Sequence, residues 1–195
     1  MRHSYVLYHA DCVDGFTAAW AAWRSEGYGH KYLPVRYGEQ PPPEAVGQEV
    51  ILLDFSYPLA TLRELAAKGT SIEIYDHHAS AIDALSQSLN KGEFRGVLDA
   101  RHSGAMLAWQ RFNPEPLNDT RRSSGPGPPD TGSVRGSTEP PQLVRYVQDR
   151  DLWQWELDWS REISAWIASW PFDFDRWDTI AFMLENERDA SGASI

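Results

Sequence analysis

Three short apolar runs each end in side chains that commonly bind metal ions. The runs cover residues 5–8, 50–53 and 72–75, and their β-branched and aromatic residues predict buried strands. If the three strands are parallel neighbours, the side chains that follow them meet at one edge of the sheet, where open α/β sheets bind ligands. These side chains are three imidazoles and four carboxylates, namely His9, Asp11, Asp14, Asp54, Asp76, His77 and His78.

Imidazoles and carboxylates in this combination predict a hydrolytic site with two divalent metal ions. Two ions about 3.5 to 4 Å apart need a carboxylate that bridges them, with a water molecule as the nucleophile. Asp54 is the predicted bridge, because its strand should lie between the other two. The remaining predicted ligands are His9 and Asp11 for one ion, and Asp14, His77 and Asp149 for the other. Such ligands suit Mn²⁺, with Mg²⁺, Co²⁺ or Zn²⁺ as alternatives.

The elements that must position these side chains alternate along the chain. Strands are predicted at residues 5–8, 31–36, 50–53, 72–75 and 96–98, and helices at residues 15–24, 59–66, 81–89 and 105–109. Ser103 is the predicted N-cap of the last of these helices. This alternation predicts an α/β fold with a mostly parallel five-stranded sheet and helices on both faces.

The pattern of strands and helices breaks down after residue 112. Residues 113–141 are rich in Pro, Gly and Ser, which predicts a disordered insertion. Helical patterns resume at residues 143–153, 162–169 and 177–187. We therefore expect one domain formed by residues 1–112 and 142–158, followed by a C-terminal helical extension at residues 159–195.

Composition excludes several classes of protein. The chain of 195 residues is 42% hydrophobic, which is enough for a single domain with a buried core. Its formal net charge of -10 disfavours binding of long duplex nucleic acid. One cysteine, Cys12, excludes an intrachain disulfide, and a buried apolar role is expected for it. With no long apolar segment, we expect a cytoplasmic protein without a membrane span.

The motifs together resemble one family. Asp76, His77 and His78 after an apolar strand resemble the signature of the DHH phosphoesterases, which include RecJ-type exonucleases, nano-RNases and family II inorganic pyrophosphatases. Residues 9–15 are similar to the first motif of the family, and residues 52–54 to the second. Residues 103–105 and 147–153 resemble two later motifs. The resemblance covers roughly residues 4–155 and implies a DHH domain of Rossmann-like topology.

The resemblance also implies roles for individual residues. His9 and Asp54 would hold the first metal ion, and the second would be held by Asp14, Asp54, His77 and Asp149. Asp151 is the alternative to Asp149 as the acid of the last motif. His78 would act near the attacking water or the scissile phosphate, and Asp76 would orient the histidine pair. The predicted substrate contacts are Arg101, Ser103 and Gly104.

The predicted function is a metal-dependent phosphoesterase that uses a water activated by two metal ions. Its partners would be small phosphorylated substrates or short single-stranded oligonucleotides, and its oligomeric state is left open. A pyrophosphatase-like hydrolase of phosphoanhydrides and a non-catalytic remnant of the fold are the alternatives. The substrate-gripping glycine- and histidine-rich motif of the family does not occur after Asp158, which indicates either a truncated chain or small substrates. Several tryptophans after residue 152 could stack bases, although their spacing is more typical of core packing.

Overall fold

A computed structural model describes residues 3–113 and 139–186. The predicted disordered insertion at 113–141 falls almost entirely on residues 114–138, which lie outside the described ranges, so this prediction is not tested. The C-terminal extension is described as far as residue 186.

Within the described ranges, five strands form one sheet in which every pair of neighbours is parallel. In chain order the strands are β1 (Ser4–His9), β2 (Lys31–Val35), β3 (Glu49–Leu53), β4 (Ser71–Asp76) and β5 (Arg95–Leu98). Their spatial order is β2-β1-β3-β4-β5. The predicted α/β fold with a parallel five-stranded sheet is confirmed, and β3 lies between β1 and β4 as expected.

In the part of the chain that the structure describes, seven α-helices connect or follow the strands. They are α1 (Val13–Glu26), α2 (Leu59–Ala67), α3 (Ala79–Asn90), α4 (Gly104–Phe112), α5 (Gln142–Asp151), α6 (Ser160–Ala168) and α7 (Phe174–Asn186). Two single 3₁₀ turns, Gly27–Gly29 and Pro43–Ala45, lie in the loops before β2 and β3. Among the residues that the structure describes, no helix is both long and apolar enough to cross a lipid bilayer.

The two faces of the sheet bury separate apolar clusters. Val6 points into a cluster with side chains of α1, α4, α5, α6 and α7, whereas Tyr5 and Leu7 point into a cluster with side chains of α2 and α3. This alternation follows from the two-residue repeat of a β-strand. Both faces are therefore covered by helices, as a parallel sheet requires.

Helix α1 approaches the end of β1 closely at Gly15, and four alanines contribute to its buried face. Ala18, Ala19, Ala21 and Ala22 are all fully buried. At Gly15 a Cβ atom would lie only 2.3 Å from the backbone oxygen of His9, so no larger residue fits without a shift. This close approach brings the first turn of α1 against the end of β1.

The C-terminal helices share the core of the preceding strands and helices. Trp177 of α7 is fully buried, packs edge-to-face on Phe16 of α1 at 4.9 Å, and donates an indole hydrogen bond of 3.0 Å to Oγ1 of Thr17. Ile167 of α6 is buried in the same cluster. The described part of the extension thus packs directly on the domain, although the domain boundary at residue 158 stays a prediction.

The order of the strands defines where a ligand can bind. From β1 the chain crosses to β2 on one side, and β3 then pairs with β1 on the other side. The carboxyl ends of β1 and β3 therefore flank a crevice, because the helices that follow strands on the two sides lead away in opposite directions. His9 ends β1 and Asp54 directly follows β3, so both lie at this crevice.

Candidate metal centre

Asp54 lies at the centre of the cluster and is held in an unusual backbone conformation. Its side chain is 1% exposed and its φ angle is +53°. Asp adopts this left-handed conformation more readily than most residues, yet it still costs free energy that surrounding contacts must offset. The backbone amide of Asp54 donates a 2.9 Å hydrogen bond to the carbonyl of Tyr75 in β4. The turn aims the carboxylate across the end of the sheet.

The two carboxylate oxygens of Asp54 face different groups of side chains. Oδ1 lies 3.2 Å from Nε2 of His77. Oδ2 lies 3.6 Å from Nδ1 of His9 and 3.7 Å from Sγ of Cys12. The two oxygens of Asp54 therefore face different groups of candidate ligands, and its role as a bridge between two metal ions stays a prediction.

Two further carboxylates lie beside His77. Its Nε2 atom is 3.7 Å from Oδ2 of Asp14 and 3.4 Å from Oδ2 of Asp151. Within the described ranges, three sets of side chains offer ligand atoms that all lie within 4.8 Å of one another. These sets are His9, Cys12 and Asp54; Asp54, His77 and His78; and Asp14, His77 and Asp151.

The separations within these sets fit side chains that share a metal ion. With metal–ligand bonds of about 2.0 to 2.3 Å, two ligands on one ion lie roughly 2.8 to 3.3 Å apart in an octahedron and roughly 3.3 to 3.8 Å apart in a tetrahedron. Most of the contacts measure 3.2 to 3.7 Å, which is long for a direct hydrogen bond. Moreover, among the described residues, Oδ1 of Asp54 and Nδ1 of His9 are buried without a hydrogen-bond partner. The residues present therefore fit divalent cations.

The amino end of α4 holds Asp14 in place. The backbone amides of Gly104 and Ala105 donate hydrogen bonds of 2.6 and 2.9 Å to Oδ2 and Oδ1 of Asp14. A carboxylate is favoured there because the amino end of a helix carries partial positive charge. Ser103 is the N-cap, as predicted, and its Oγ accepts a 3.3 Å hydrogen bond from the amide of Met106.

The structure gives Ser103 and Gly104 roles within the protein itself. Both residues are buried, and a Cβ atom at Gly104 would lie 2.4 Å from Cβ of Asp54. Ser103 caps α4 and the amide of Gly104 holds Asp14, whereas contact of either residue with a substrate stays a prediction. Arg101 is 83% exposed, and its guanidinium forms an ion pair with Asp99 at 2.8 Å. Contact between Arg101 and a substrate stays a prediction.

Asp76 and His78 form a pair beside the cluster. Asp76 is fully buried, and its Oδ1 is 2.7 Å from Nδ1 of His78 and accepts from the His78 amide at 3.1 Å. The hydroxyl of Ser56 donates a 2.6 Å hydrogen bond to Oδ2 of Asp76. Because Asp76 occupies Nδ1, the Nε2 atom of His78 is the nitrogen left to contact a ligand. The side chain of His78 is 34% exposed, which leaves it open to the crevice.

Negative charge dominates the cluster. Burial raises the pKa of Asp14, and the neighbouring Asp54 and Asp151 carboxylates raise it further. Burial would also raise the pKa of Asp54, but the neighbouring imidazoles of His77 and His9 outweigh it and lower the pKa. Burial lowers the pKa of His77, yet Asp54 and Asp14 outweigh it and raise the pKa to about 9. Among the described residues, the recorded ion-pair partners of these carboxylates are imidazoles only, so a cation would relieve the repulsion between them.

The structure places Asp151, not Asp149, beside His77, which corrects the preferred ligand of the last motif. Asp149 is 3% exposed, and its carboxylate accepts hydrogen bonds from the amides of Glu156 and Leu157 and from the hydroxyl of Ser160. Residues two positions apart on an α-helix point in directions about 200° apart, so Asp149 and Asp151 cannot face the same site. Asp149 instead organises the loop that follows α5.

Asp11 also lies apart from the predicted site. It adopts a φ angle of +54° in the turn after β1, and its carboxylate is 2.6 Å from Nη2 of Arg36. The side chain of Asp11 is 71% exposed. The turn points Asp11 outward, towards the end of β2, and brings Cys12 towards Asp54 instead. Asp11 is therefore corrected from metal ligand to surface ion-pair partner.

A groove of about 710 Å³ opens next to the cluster. It is lined by residues of the turn after β1, by the end of α5 and by two tryptophans of the following loop, Trp153 and Trp155. Trp153 is 79% exposed, and both tryptophans have positive φ angles, which are rare for bulky residues. The spacing of the tryptophans after residue 152 is typical of core packing, which holds for Trp177 but not for Trp153.

Comparison with known proteins finds similarity to a curated protein but assigns no family. No protein-family model matches the chain, and no solved structure matches it. Among curated proteins, the chain is similar to the "Uncharacterized protein R106" of Acanthamoeba polyphaga mimivirus, with 24% identity over 197 aligned residues. The alignment covers 89% of this chain and 39% of the relative, so the chain spans about two fifths of the length of that protein.

Proposed function

We propose that this protein is a metal-dependent phosphoesterase of the DHH phosphoesterase family. Its substrates would be short oligonucleotides or nucleotides, in which it hydrolyses phosphodiester or phosphomonoester bonds. The observation that carries this proposal is the position of Asp54, whose two oxygens face separate sets of metal-binding side chains 3.2 to 3.7 Å away. A shared carboxylate of this kind is the central feature of two-metal hydrolytic sites.

The side chains of the centre fall into three roles in this proposal. His9, Asp14, Asp54, His77 and Asp151 would hold two divalent cations, with Mn²⁺ as the expected ion and Mg²⁺ or Co²⁺ as alternatives. Bound cations would supply Lewis acidity, which activates water and stabilises negative charge on a phosphoryl group. His78, oriented by Asp76, would hydrogen-bond the phosphoryl oxygens or the leaving oxygen through Nε2. Gly104 and Ala105 keep Asp14 at a fixed position through their amides.

The groove supports a nucleotide as the substrate. Its lining combines Asp14 and Asp151 of the centre with Trp153 and Trp155, whose rings are 5.7 Å apart. An exposed tryptophan beside a phosphate-binding centre can stack on a nucleobase, a contact worth about 1 to 3 kcal/mol per base. The volume of about 710 Å³ suits a mononucleotide or dinucleotide, and the net charge of -10 opposes longer nucleic acid.

Cleavage of phosphoanhydrides is less well supported by the groove. Pyrophosphate carries more charge than a phosphodiester and needs several cationic side chains around it. Among the lining residues of the described groove, Arg150 is the single arginine, and lysine does not occur. We therefore favour esters over anhydrides as substrates.

A substrate panel with a matched pair of variants tests the proposal. The purified chain is loaded with Mn²⁺ and assayed on dinucleotides, nucleoside monophosphates, a chromogenic phosphodiester and pyrophosphate. We expect turnover of at least one ester, its loss in Asp54→Asn, and its retention in Asp83→Asn, since Asp83 is an exposed acid on α3. Absence of turnover on every ester would refute the proposed activity. Zero or one bound ion per chain would favour the non-catalytic alternative.

A further inference from the structure

Cys12 is aimed at the metal centre instead of capping the helix that it precedes. It occupies the N-cap position of α1 but makes no side-chain capping hydrogen bond. Its Sγ atom lies 3.7 Å from Oδ2 of Asp54, and it forms a set with Asp54 and His9 in which nitrogen, sulfur and oxygen ligand atoms lie within 4.8 Å of one another. The thiol is thus the third side chain on the His9 side of Asp54.

The spacing of this set fits a tetrahedral cation. With a metal–sulfur bond of about 2.3 Å and a metal–oxygen bond of about 2.0 Å, sulfur and oxygen ligands lie about 3.5 Å apart, and nitrogen and oxygen ligands about 3.3 Å apart. The corresponding distances are 3.7 Å for Cys12 to Asp54 and 3.6 Å for His9 to Asp54. Both agree within a few tenths of an ångström.

A second observation, independent of the cysteine, indicates a ligand at this position. Among the described residues, Oδ1 of Asp54 and Nδ1 of His9 are buried and lack a hydrogen-bond partner. Asp54 is 1% exposed, so its charge is almost fully removed from water. Buried polar atoms of this kind are costly unless they are satisfied. A cation on the His9 side would satisfy Nδ1 of His9, whereas Oδ1 of Asp54 lies 3.2 Å from His77 and would be satisfied by a cation on that side.

We infer that the thiolate of Cys12 is a metal ligand, and that the two cation sites at Asp54 therefore differ in chemical preference. On the His9 side, imidazole, thiolate and carboxylate favour a thiophilic ion such as Zn²⁺ or Co²⁺. On the His77 side, the ligands are oxygen and nitrogen atoms of Asp14, Asp54, His77 and Asp151, which suit Mn²⁺ or Mg²⁺. The inference deepens the proposed function and rests on its placement of cations at Asp54.

Ligation by Cys12 exchanges one bond for another without any redox change. The S–H bond breaks, the proton passes to solvent, and a sulfur lone pair forms the bond to the cation. The rest of the chain contains no other cysteine, so a thiolate–metal signal can come only from Cys12.

Titration of the metal-free full chain with Co²⁺ tests the inference. We expect a sulfur-to-cobalt charge-transfer absorption in the near ultraviolet that saturates at one ion per chain. Cys12→Ser should lose this absorption and bind Co²⁺ at that site at least about 10-fold more weakly, since even losing an outer contact to a ligand costs roughly 10- to 100-fold. Asp151→Asn should keep the absorption and lose the other ion. Ser is a favourable N-cap, so Cys12→Ser should fold, as circular dichroism will show.

The outcomes separate this inference from the proposed activity. Bound Co²⁺ without the charge-transfer absorption in the wild-type chain would overturn ligation by Cys12 and leave the hydrolase proposal standing. Failure of the chain to bind Co²⁺ at all would also overturn it. A clear absorption with no turnover of any ester would support Cys12 as a ligand and refute the activity.

Discussion

Replacing Gly104 by Ala should disable the metal centre while leaving the fold largely intact. A Cβ atom at this position would lie 2.4 Å from Cβ and 2.8 Å from Oδ1 of Asp54. Carbon atoms in ordinary contact are about 3.5 to 4.0 Å apart, so Asp54 or α4 would have to move by roughly 1.1 to 1.6 Å. Metal–ligand distances tolerate only about 0.2 Å, so the required movement exceeds this tolerance severalfold.

The expected effect on stability is much smaller. Overpacking in a core typically costs about 1 to 3 kcal/mol, whereas Ala is favoured over Gly in a helix by about 1 kcal/mol. The net loss of unfolding free energy for Gly104→Ala is therefore roughly 0 to 2 kcal/mol. Movement of α4 would also break the 2.6 Å hydrogen bond from the Gly104 amide to Asp14. We expect the affinity for Mn²⁺ to fall at least about 10- to 100-fold.

Calorimetric titration with Mn²⁺ measures the affinity, and urea denaturation in the presence of a chelator measures the stability. Gly29→Ala is the matched control, because a Cβ atom at Gly29 would meet nothing within 4 Å. Wild-type Mn²⁺ affinity in Gly104→Ala would refute the reasoning. So would a loss of stability well above 3 kcal/mol without metal, since the strain would then lie in the fold and not in the centre.

Three further predictions concern the centre and its support. Asp151→Asn should lose one of two bound ions and keep its stability. Asp149→Asn should keep both ions and lose about 1 to 3 kcal/mol of unfolding free energy, because the asparagine amide cannot accept all three hydrogen bonds. Metal analysis measures the bound ions and urea denaturation the stability, and loss of metal in Asp149→Asn alone would contradict the assignment. Mn²⁺ at about 100 times its dissociation constant should stabilise the chain by about 2.7 kcal/mol and raise its melting temperature by roughly 5 to 10 °C. Asp54→Asn should abolish that shift, and an unchanged wild-type melting temperature would argue against the centre. Trp177→Ala should lower the free energy of unfolding, measured by urea denaturation, by about 3 to 5 kcal/mol. Phe182→Ala, on the exposed side of the same helix, should lower it little. Equal losses for the two variants would show that α7 is not part of the core.

Local sequence was sufficient to predict the strands and the edge of the sheet at which the candidate ligands lie. Alternating and β-branched apolar runs predicted all five strands to within about two residues, since a buried parallel strand requires such a run. An acid or histidine directly after a strand must lie at the carboxyl edge of the sheet, so His9, Asp54 and His77 were brought together as expected. The parallel sheet and the central position of Asp54 followed from these local signals.

The positions of side chains outside the strands were determined only by the tertiary structure. Asp149 and Asp151 both belong to α5, and the packing of that helix determines which of them meets His77. Asp11 and Cys12 share a turn, and its left-handed residue sends the acid to Arg36 and the thiol to Asp54. The sequence alone therefore determined the edge of the sheet at which the centre forms. The final set of ligands depended on helix rotation and turn geometry, which arise from contacts between residues distant in the chain and carry no local signal.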